Sequence, residues 1–477
     1  MGGSLLNRPN LPVAPYGATS STISFIDPTV KVHNGQHASI GQKSLIGPFA
    51  TIDARGGTIQ IGDGSAILDN STLVDAPGGG VKPGSILIGN NVEIGFGATV
   101  EGQSTIGLSK SSTSTTPTSI GPNALIDNAT IQSGAIVSAL ARVGPGVTVP
   151  TGYVVLPGAN VTTNAQASDP SLGMVRKITT ADQTLVTQQL AHDSLLAAGY
   201  ASLVDGDSTT GTTGVGMTKG VYLQDQTTIT GIGLEPGSAN GVTFEPSKST
   251  SPQFQSPTQD LAPGTLYTFP ARITGRAFFS ARPQAVKHKL GQKNAIRADD
   301  GQPISFASAP STGNAVTINS PAGSTTTTSS GGITTQVTGG AINIGSGIRV
   351  AGRVVILGGP NPTATVTTTV TTTPISTATT TVTTTSNGSV TTTTKDSTTP
   401  TTTTTTTNSI TQVAAPSDTI GNNVTIGKEA VVDRSSIGNG ASIGARSLIQ
   451  GSTVAAGAVI PAGTILVNNK VVGTVEW

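Results

Sequence analysis

Residues 86–107 read ILIGNNVEIGFGATVEGQSTIG, and this stretch decides the fold. An aliphatic residue returns at every sixth position, at Ile88, Ile94, Val100 and Ile106. An α-helix, with about 3.6 residues per turn, would spread these positions around its whole surface. The spacing instead predicts short strands joined by tight turns, three strands to a triangular coil. Ile94 should then point into the solenoid, and its neighbour Glu93 should point outward.

The same spacing recurs in two separated parts of the chain. An ordinary β-sandwich is the alternative, but its alternation of inward and outward residues does not by itself produce fixed intervals of six. We therefore predict an all-β fold of tandem left-handed parallel β-helices, with a flanking α-helix after the first solenoid. The further aliphatic positions are Ile40, Ile46, Ile61, Ile67, Leu73, Val143, Val149, Val155 and Val161, and then Ile420, Ile426, Val432, Ile437, Ile443 and Ile449.

The repeats and the changes in composition divide the chain into four parts. The Thr-rich insertion has high β-propensity and almost no charge, so an extended ribbon, a disordered stalk and a sugar-decorated segment all remain open for it. The predicted parts are an irregular arm at 1–30, a first solenoid with its helix at 31–204, a Gly/Ser/Thr/Pro-rich linker at 205–265, and a second, degenerate solenoid at 266–477 with the Thr-rich insertion at 363–407.

The flanking helix is predicted over residues 181–198. Thr180 and Gln183 are spaced as a capping box, and Gly199 is placed where helices commonly end. Leu185, Leu190, Leu195 and Leu196 would form an apolar stripe that docks on a solenoid face. Leu190 is therefore a candidate contact residue.

The composition excludes several classes of function. Charged residues make up 10% of the chain and the net charge is +1, so the sequence has no basic footprint for nucleic acid or an anionic membrane. There is no Cys, which excludes disulfides and thiolate chemistry. No apolar run is long enough to span a bilayer, and no cleaved secretory signal is evident. We expect a cell-surface or extracellular protein exported without a cleaved signal, with the cytoplasm as the alternative.

Several longer motifs carry a resemblance to a known family. They are GTIQIGDGSAILDNSTLVDA at 57–76 and VGPGVTVPTGYVVLPGANVTTNAQA at 143–167, then IRADDGQPI at 296–304 and AAGAVIPAGTILVNNKVVGTV at 455–475. In this order, and with the closing helix, they resemble γ-class carbonic anhydrases twice over, across about residues 22–205 and again across about 268–477. The resemblance implies a trimerising solenoid with a zinc site shared across a subunit interface.

The resemblance also implies that the catalytic metal site is lost. The family binds zinc through three histidines and leaves the fourth position to water, whose pKa the metal lowers. The corresponding positions hold Asp75, Phe96 and Glu101 in the first solenoid, and Gly352 and Leu357 in the second, where the third position cannot be placed. None is His. The four histidines of the chain, His33, His37, His192 and His288, lie outside the regular mid-solenoid coils.

The family's interface motif is kept in part. Arg297, Asp299 and Asp300 match it in the second solenoid, where the resemblance implies salt bridges between subunits. In the first solenoid the matching positions hold Asp53 and Arg55, a departure consistent with a charge swap. We therefore expect self-association, as a homotrimer, with higher-order stacking left open.

Three functions follow from the sequence. The leading one is a non-catalytic structural or assembly protein without a cofactor. The alternatives are a carbonic anhydrase with a relocated metal site and, less favoured, an acyltransferase of the same superfamily, which would need a His beside a long loop. Asp75 with Glu101 could also hold a hard cation such as calcium through oxygen.

Overall fold

A computed structural model describes much of the chain. The described residues are 25–27, 30–34, 37–41, 43–75, 84–108, 116–204, 242–244, 271–275, 277–279, 289–298, 304–320, 325–327, 334–336, 341–358, 365–375, 382–384, 390–392, 401–411 and 418–477.

The first solenoid has three sheets, which we call A, B and C. Successive coils add one strand to each sheet, and the coil-to-coil pairing is parallel, as between Val92–Ile94 and Thr118–Ile120. The strands of sheet A are Phe25–Ile26, Leu45–Ile46, Ala66–Ile67, Val92–Ile94, Thr118–Ile120, Ile136–Val137, Tyr153–Val155 and the antiparallel Val175–Lys177; those of sheet B are Lys31–His33, Thr51–Asp53, Thr72–Val74, Thr99–Glu101, Leu125–Asp127, Arg142–Val143 and Asn160–Val161; those of sheet C are Ala38–Ile40, Gly57–Ile61, Gly84–Ile88, Thr105–Leu108, Thr130–Gln132 and Thr148–Val149.

The second solenoid repeats the arrangement with sheets D, E and F. Its sheet D begins inside the segment predicted as a linker, because Val242–Phe244 pairs in parallel with Ala277–Phe279. The strands of sheet D are Val242–Phe244, Ala277–Phe279, Ile304–Phe306, Ile342–Ile344, Asp418–Ile420, Ser436–Ile437 and Thr453–Val454; those of sheet E are Ala271–Gly275, Asn294–Ala298, Thr317–Asn319, Val355–Leu357, Val431–Asp433, Leu448–Gln450, Thr464–Val467 and the antiparallel Lys470–Thr474; those of sheet F are Ser311–Thr312, Arg349–Val350, Thr425–Ile426, Ser442–Ile443 and Val459–Ile460.

The predicted six-residue register is confirmed in both solenoids. Ile94, Val100 and Ile106 are fully buried, and Ile94 pairs with Ile67 one coil before it and Ile120 one coil after it. Corner residues adopt the left-handed conformation, as Asn91 (φ 55°) and Asn423 (φ 56°) do, which Asn tolerates better than most residues. The fold is therefore a tandem of left-handed parallel β-helices.

Two helices follow the first solenoid. The short helix α1 (Asn164–Ser168) packs against the last coil, and α2 (Thr180–Val204) is longer than the predicted 181–198. A single 3-10 turn at Pro170–Leu172 lies between them. The N-terminal cap of α2 is Thr179 rather than Thr180, because the Thr179 hydroxyl accepts from the Asp182 amide while the Asp182 carboxylate accepts from the Thr179 amide.

The helix α2 packs on sheet A of the first solenoid, which is the solenoid face that its apolar stripe was predicted to cover. Its buried residues include Val186, Leu190 and Leu196. Leu185 was predicted as part of the buried stripe, but it is 48% exposed, so this part of the prediction is wrong. Within the part of the chain that the structure describes, no helix combines the length and the apolar character that crossing a membrane requires.

The Thr-rich insertion contributes a long antiparallel ribbon. Thr365–Ile375 pairs with Thr401–Thr411 over its whole length. Of the ribbon, the disordered stalk and the sugar-decorated segment considered from the sequence, this pairing corresponds to the extended ribbon. Two shorter hairpins complete the described elements, Thr325–Thr327 with Thr334–Gln336 and Val382–Thr384 with Val390–Thr392.

Candidate functional site

The two solenoids pack side by side. Sheet E of the second solenoid turns one row of side chains away from its own core, and Val355, Val431, Leu448 and Ile465 in this row are at most 3% exposed. These residues belong to the hydrophobic cluster of the first solenoid, while the alternating Ile356, Val432 and Ile449 belong to that of the second. The sheet E face is therefore covered by the first solenoid.

Polar contacts join corresponding coils of the two solenoids along their length. The Asn70 amide nitrogen donates to the Thr317 hydroxyl at 3.1 Å, and the Asn123 amide nitrogen donates to the carbonyls of Arg353 and Glu429 at 3.0 and 3.1 Å. The Arg353 guanidinium in turn donates to the Gly97 carbonyl at 3.1 Å. Because the contacts advance in the same order along both solenoids, the solenoids run parallel.

The C-terminal residues contact the last coils of both solenoids. The Trp477 ring nitrogen donates to the Leu140 carbonyl at 2.7 Å, and the Glu476 amide donates to the Gly158 carbonyl at 3.1 Å. The Arg446 guanidinium stacks on the Trp477 ring, 4.1 Å from its centre. The tail thus contacts both solenoids.

A buried ion pair lies in this contact. Arg297, in the sheet E strand Asn294–Ala298, donates from Nη1 to Oδ1 of Asp69 at 2.5 Å, and the two side chains are 1% and 0% exposed. Asp69 follows the sheet A strand Ala66–Ile67 of the first solenoid. Arg297, predicted as a contact between subunits, here joins two solenoids of one chain. The other two residues of its motif, Asp299 and Asp300, lie outside the described residues, as does His288.

Three of the five positions that match zinc ligands hold Phe96, Leu357 and Gly352, which have no side-chain donor atom. Phe96 is 8% exposed and belongs to the first solenoid's cluster, and Leu357 packs partly buried against that cluster. Gly352 lies in the corner between Arg349–Val350 and Val355–Leu357, where its carbonyl accepts from the Glu429 amide at 3.0 Å. None of the three residues offers a side-chain donor to a metal, and Phe96 and Leu357 contribute apolar packing at their positions.

Of the other two positions, Asp75 directly follows the sheet B strand Thr72–Val74, and Glu101 ends the sheet B strand Thr99–Glu101. Asp75 is buried, and its pKa is raised by burial and by the neighbouring Asp53 carboxylate. The pKa of Glu101 is also raised, by burial and by Asp127, with Arg142 acting in the opposite direction. The two acids therefore have different electrostatic neighbours. Among the described residues no group of three or more His, Cys, Asp or Glu side chains is arranged to hold a metal ion.

Asp53 and Arg55 pair with each other within the first solenoid. The Arg55 Nε atom donates to Asp53 Oδ1 at 2.8 Å, and this bond lowers the pKa of Asp53. The Arg55 side chain is 68% exposed, so the pair contributes little to stability.

One buried acid was not expected from the sequence. Glu93 points outward from the solenoid, as predicted, but α2 covers it and leaves it only 6% exposed. Burial, and next the charge of Asp193 on α2, raise the pKa of Glu93 to about 8. The sequence contained a signal for a buried acid on α2, because Asp193 falls between Leu190 and Ala197 on the buried face of this helix.

The known proteins with similar structures are distant from this chain. No family model matches the sequence, and no curated protein matches it significantly. Among solved structures, a hexapeptide transferase family protein from Anaplasma phagocytophilum is 18% identical, with 37% of this chain and 91% of that one covered and a TM-score of 0.28. A putative acetyltransferase from Bacillus cereus is 17% identical, with coverages of 37% and 89% and a TM-score of 0.20. A perosamine N-acetyltransferase mutant from Caulobacter crescentus, solved with CoA and GDP-perosamine, is 17% identical, with coverages of 28% and 53% and a TM-score of 0.15.

The repeats and the sheets of the chain itself define it as a hexapeptide-repeat β-helix protein. Identities and TM-scores this low carry no activity or substrate over from these proteins.

Proposed function

We propose that this protein is a non-catalytic structural protein built on two degenerate solenoids that resemble γ-class carbonic anhydrases. In this proposal the solenoid pair is a rigid body, and its role is to space and assemble other parts of a larger structure. The resemblance is the basis for calling the solenoids degenerate, and the packing of the two solenoids against each other is the basis for the structural role.

One observation carries the proposal. Three of the five positions that match zinc ligands hold Phe96, Gly352 and Leu357. Phe96 belongs to the hydrophobic cluster that the first solenoid shares with sheet E, and Leu357 packs against this cluster. A working zinc site needs nitrogen, oxygen or sulfur donors and an open position for water. Apolar packing at the same place excludes water and offers no donor, so it favours a structural role over carbon dioxide hydration.

The proposed setting is a cell-surface or extracellular assembly. The low charge and the long Thr-rich ribbon support this setting, because both suit an extended, weakly charged surface structure. The proposed assembly is a homotrimer, which rests on the resemblance. Light scattering of the purified protein tests it, and a mass of one chain at micromolar concentration would contradict a trimer.

Metal analysis combined with a carbon dioxide hydration assay tests the main proposal. We expect no stoichiometric zinc and no hydration above the buffer rate, with a zinc-dependent carbonic anhydrase carried through the same preparation as a positive control. One zinc per chain together with hydration activity would overturn the proposal.

A pair of variants tests the packing role itself. Phe96→Ala should lower the free energy of unfolding by about 3–5 kcal/mol, the usual cost of removing a buried Phe side chain. Leu108→Ala is the matched control, because Leu108 is 40% exposed at a strand end. Its substitution should cost less than about 1 kcal/mol. Equal effects in the two variants would contradict a packing role for Phe96.

A further inference from the structure

The last coil of the second solenoid has no charged residue. It consists of Thr453–Val454, Val459–Ile460 and Thr464–Val467, one strand in each of sheets D, F and E. Residues 451–467 read GSTVAAGAVIPAGTILV, whereas the coil before it, residues 434–450, has two arginines. A solenoid end that faces water needs a polar outer face for solubility, so an uncharged apolar end indicates a surface that a partner covers.

Apolar side chains are exposed on this coil and on the strand beyond it. Val459 is 74% exposed on sheet F, and Val471 and Val472, in the antiparallel strand that follows the coil, are 67% and 61% exposed. Ala455 and Ala456 are exposed at the corner between sheets D and F. We call these five residues the terminal surface. Removing such side chains from water is favourable, so the terminal surface is suited to binding an apolar partner.

The two solenoids end differently. In the first solenoid, α1 packs against the last strand of each of the three sheets. In the second, the described residues after the last coil form only the strand Lys470–Thr474, which pairs with sheet E. The Ser442 amide donates to the Ala458 carbonyl of the last coil at 2.8 Å, and the equivalent amide of Val459 has no described coil beyond it. The edge of sheet F is therefore open as well as apolar.

We propose that the terminal surface binds the terminal surface of a second copy of this chain, in a contact with two-fold symmetry. Its five residues carry no charge, so the surface does not repel its own copy when a two-fold axis brings the two together. Lys470 adjoins Val471 in the chain, but it is exposed, so water and salt screen its charge. The N-terminal end of the first solenoid is a poorer match, because its first coil exposes Lys31 and His33.

This contact goes beyond the homotrimer proposed above and does not depend on it. The terminal surface lies at one end of the second solenoid, so the contact doubles the mass of whichever unit exists, a single chain or a trimer. The contact is therefore read from the doubling, and the trimer is read from the smaller of the two masses.

Sedimentation of the full chain from low to high micromolar concentration tests the contact. We expect the mass to double as the concentration rises. Val459→Asp should raise the dissociation constant of this step at least about 100-fold, because the two-fold contact buries the new charge twice, at about tenfold or more each. Thr425→Asp is the matched control, since Thr425 is exposed in the same outward row of sheet F two coils earlier. It should change the constant by less than about twofold.

Mixing two variants distinguishes this contact from one between the terminal surface and another part of the chain. Val459→Lys alone should dissociate as Val459→Asp does. The two variants mixed in equal amounts should associate again, because opposite charges meet when one terminal surface faces another. The circular dichroism signal of each variant should equal that of the unchanged chain, since the substituted side chain is exposed.

Three results would overturn the proposal. The first is a mass that does not change with concentration in the unchanged chain. The second is the same dissociation constant for Val459→Asp and Thr425→Asp. The third is no association in the mixture of Val459→Asp with Val459→Lys, which would mean that the terminal surface binds something other than its own copy.

Discussion

Replacing Arg297 with Met should separate the two solenoids at a lower denaturant concentration than in the unchanged chain. The substitution leaves Asp69 buried without its cation, and its side chain has no exposure to water. Removing one partner of a buried ion pair typically costs about 3–5 kcal/mol, because the remaining charge is uncompensated. An exposed ion pair contributes about 0–1 kcal/mol to the free energy of unfolding. The loss predicted for Arg297→Met is therefore larger than the loss from breaking a surface pair.

Trp477 reports on this loss directly. It is the one Trp of the chain, and it contacts Leu140 of the first solenoid and Arg446 of the second. In urea, the Trp fluorescence change of Arg297→Met should precede the loss of the circular dichroism signal, because the solenoids separate before their coils unravel.

Two controls give this prediction a sharp outcome. Arg142→Met breaks an ion pair with Asp127 whose side chains are 31% and 19% exposed, and it should cost less than about 1 kcal/mol. The double variant Asp69→Leu with Arg297→Met should recover much of the loss, since no buried charge remains. Equal shifts for Arg297→Met and Arg142→Met would refute the reasoning.

Three further substitutions test other parts of the structure. Ile94→Asn should cost about 2–5 kcal/mol in thermal or urea unfolding, because it removes a fully buried side chain and buries an amide without a partner, and a near-zero change would contradict the register. Leu190→Asp should cost several kcal/mol, seen as faster hydrogen exchange along α2, and unchanged exchange would contradict its docking. Trp477→Phe removes the hydrogen bond to the Leu140 carbonyl and should lower stability by about 1 kcal/mol; no change in the urea midpoint would contradict a role for that bond.

The solenoid interior could be predicted from the sequence because its signal is local. Each inward residue is six positions from the next, as for Ile94 and Val100, and both are fully buried. The strands themselves are short, but in this register each strand lies beside the equivalent strand of the next coil, so the register also determines the pairing.

The pairing of the solenoids could not be predicted in the same way. Its contacts join residues far apart in the sequence, as Asn70 and Thr317 are, and no local period connects them. A partial signal was present in the outward rows, where the second solenoid has Val355 and the corresponding strand of the first has Thr99. An apolar residue at an outward position indicates that the face is covered, but it does not identify what covers it.

The candidate site shows the same limit. The absence of histidine at Phe96, Gly352 and Leu357 could be read from the sequence, but the packing role of Phe96 and Leu357 depends on the second solenoid. Glu93 was correctly placed outward by alternation, yet its burial depends on how α2 crosses sheet A. The alternation of residues along a strand predicts whether a side chain points inward or outward, but it does not predict which element packs on the outer face.

Chemical crosslinking of the Cys-free chain tests the paired arrangement most directly. Asn70→Cys with Thr317→Cys places two thiols where the structure joins the solenoids, and a short thiol-reactive crosslinker should link them within one chain at high dilution. Gln60→Cys with Thr317→Cys is the control, because sheet C lies opposite the corner between sheets A and B that carries the contact. The pairing predicts an efficient intramolecular crosslink for the first pair and little for the control; no intramolecular crosslink for the first pair, or equal yields for both, would contradict it.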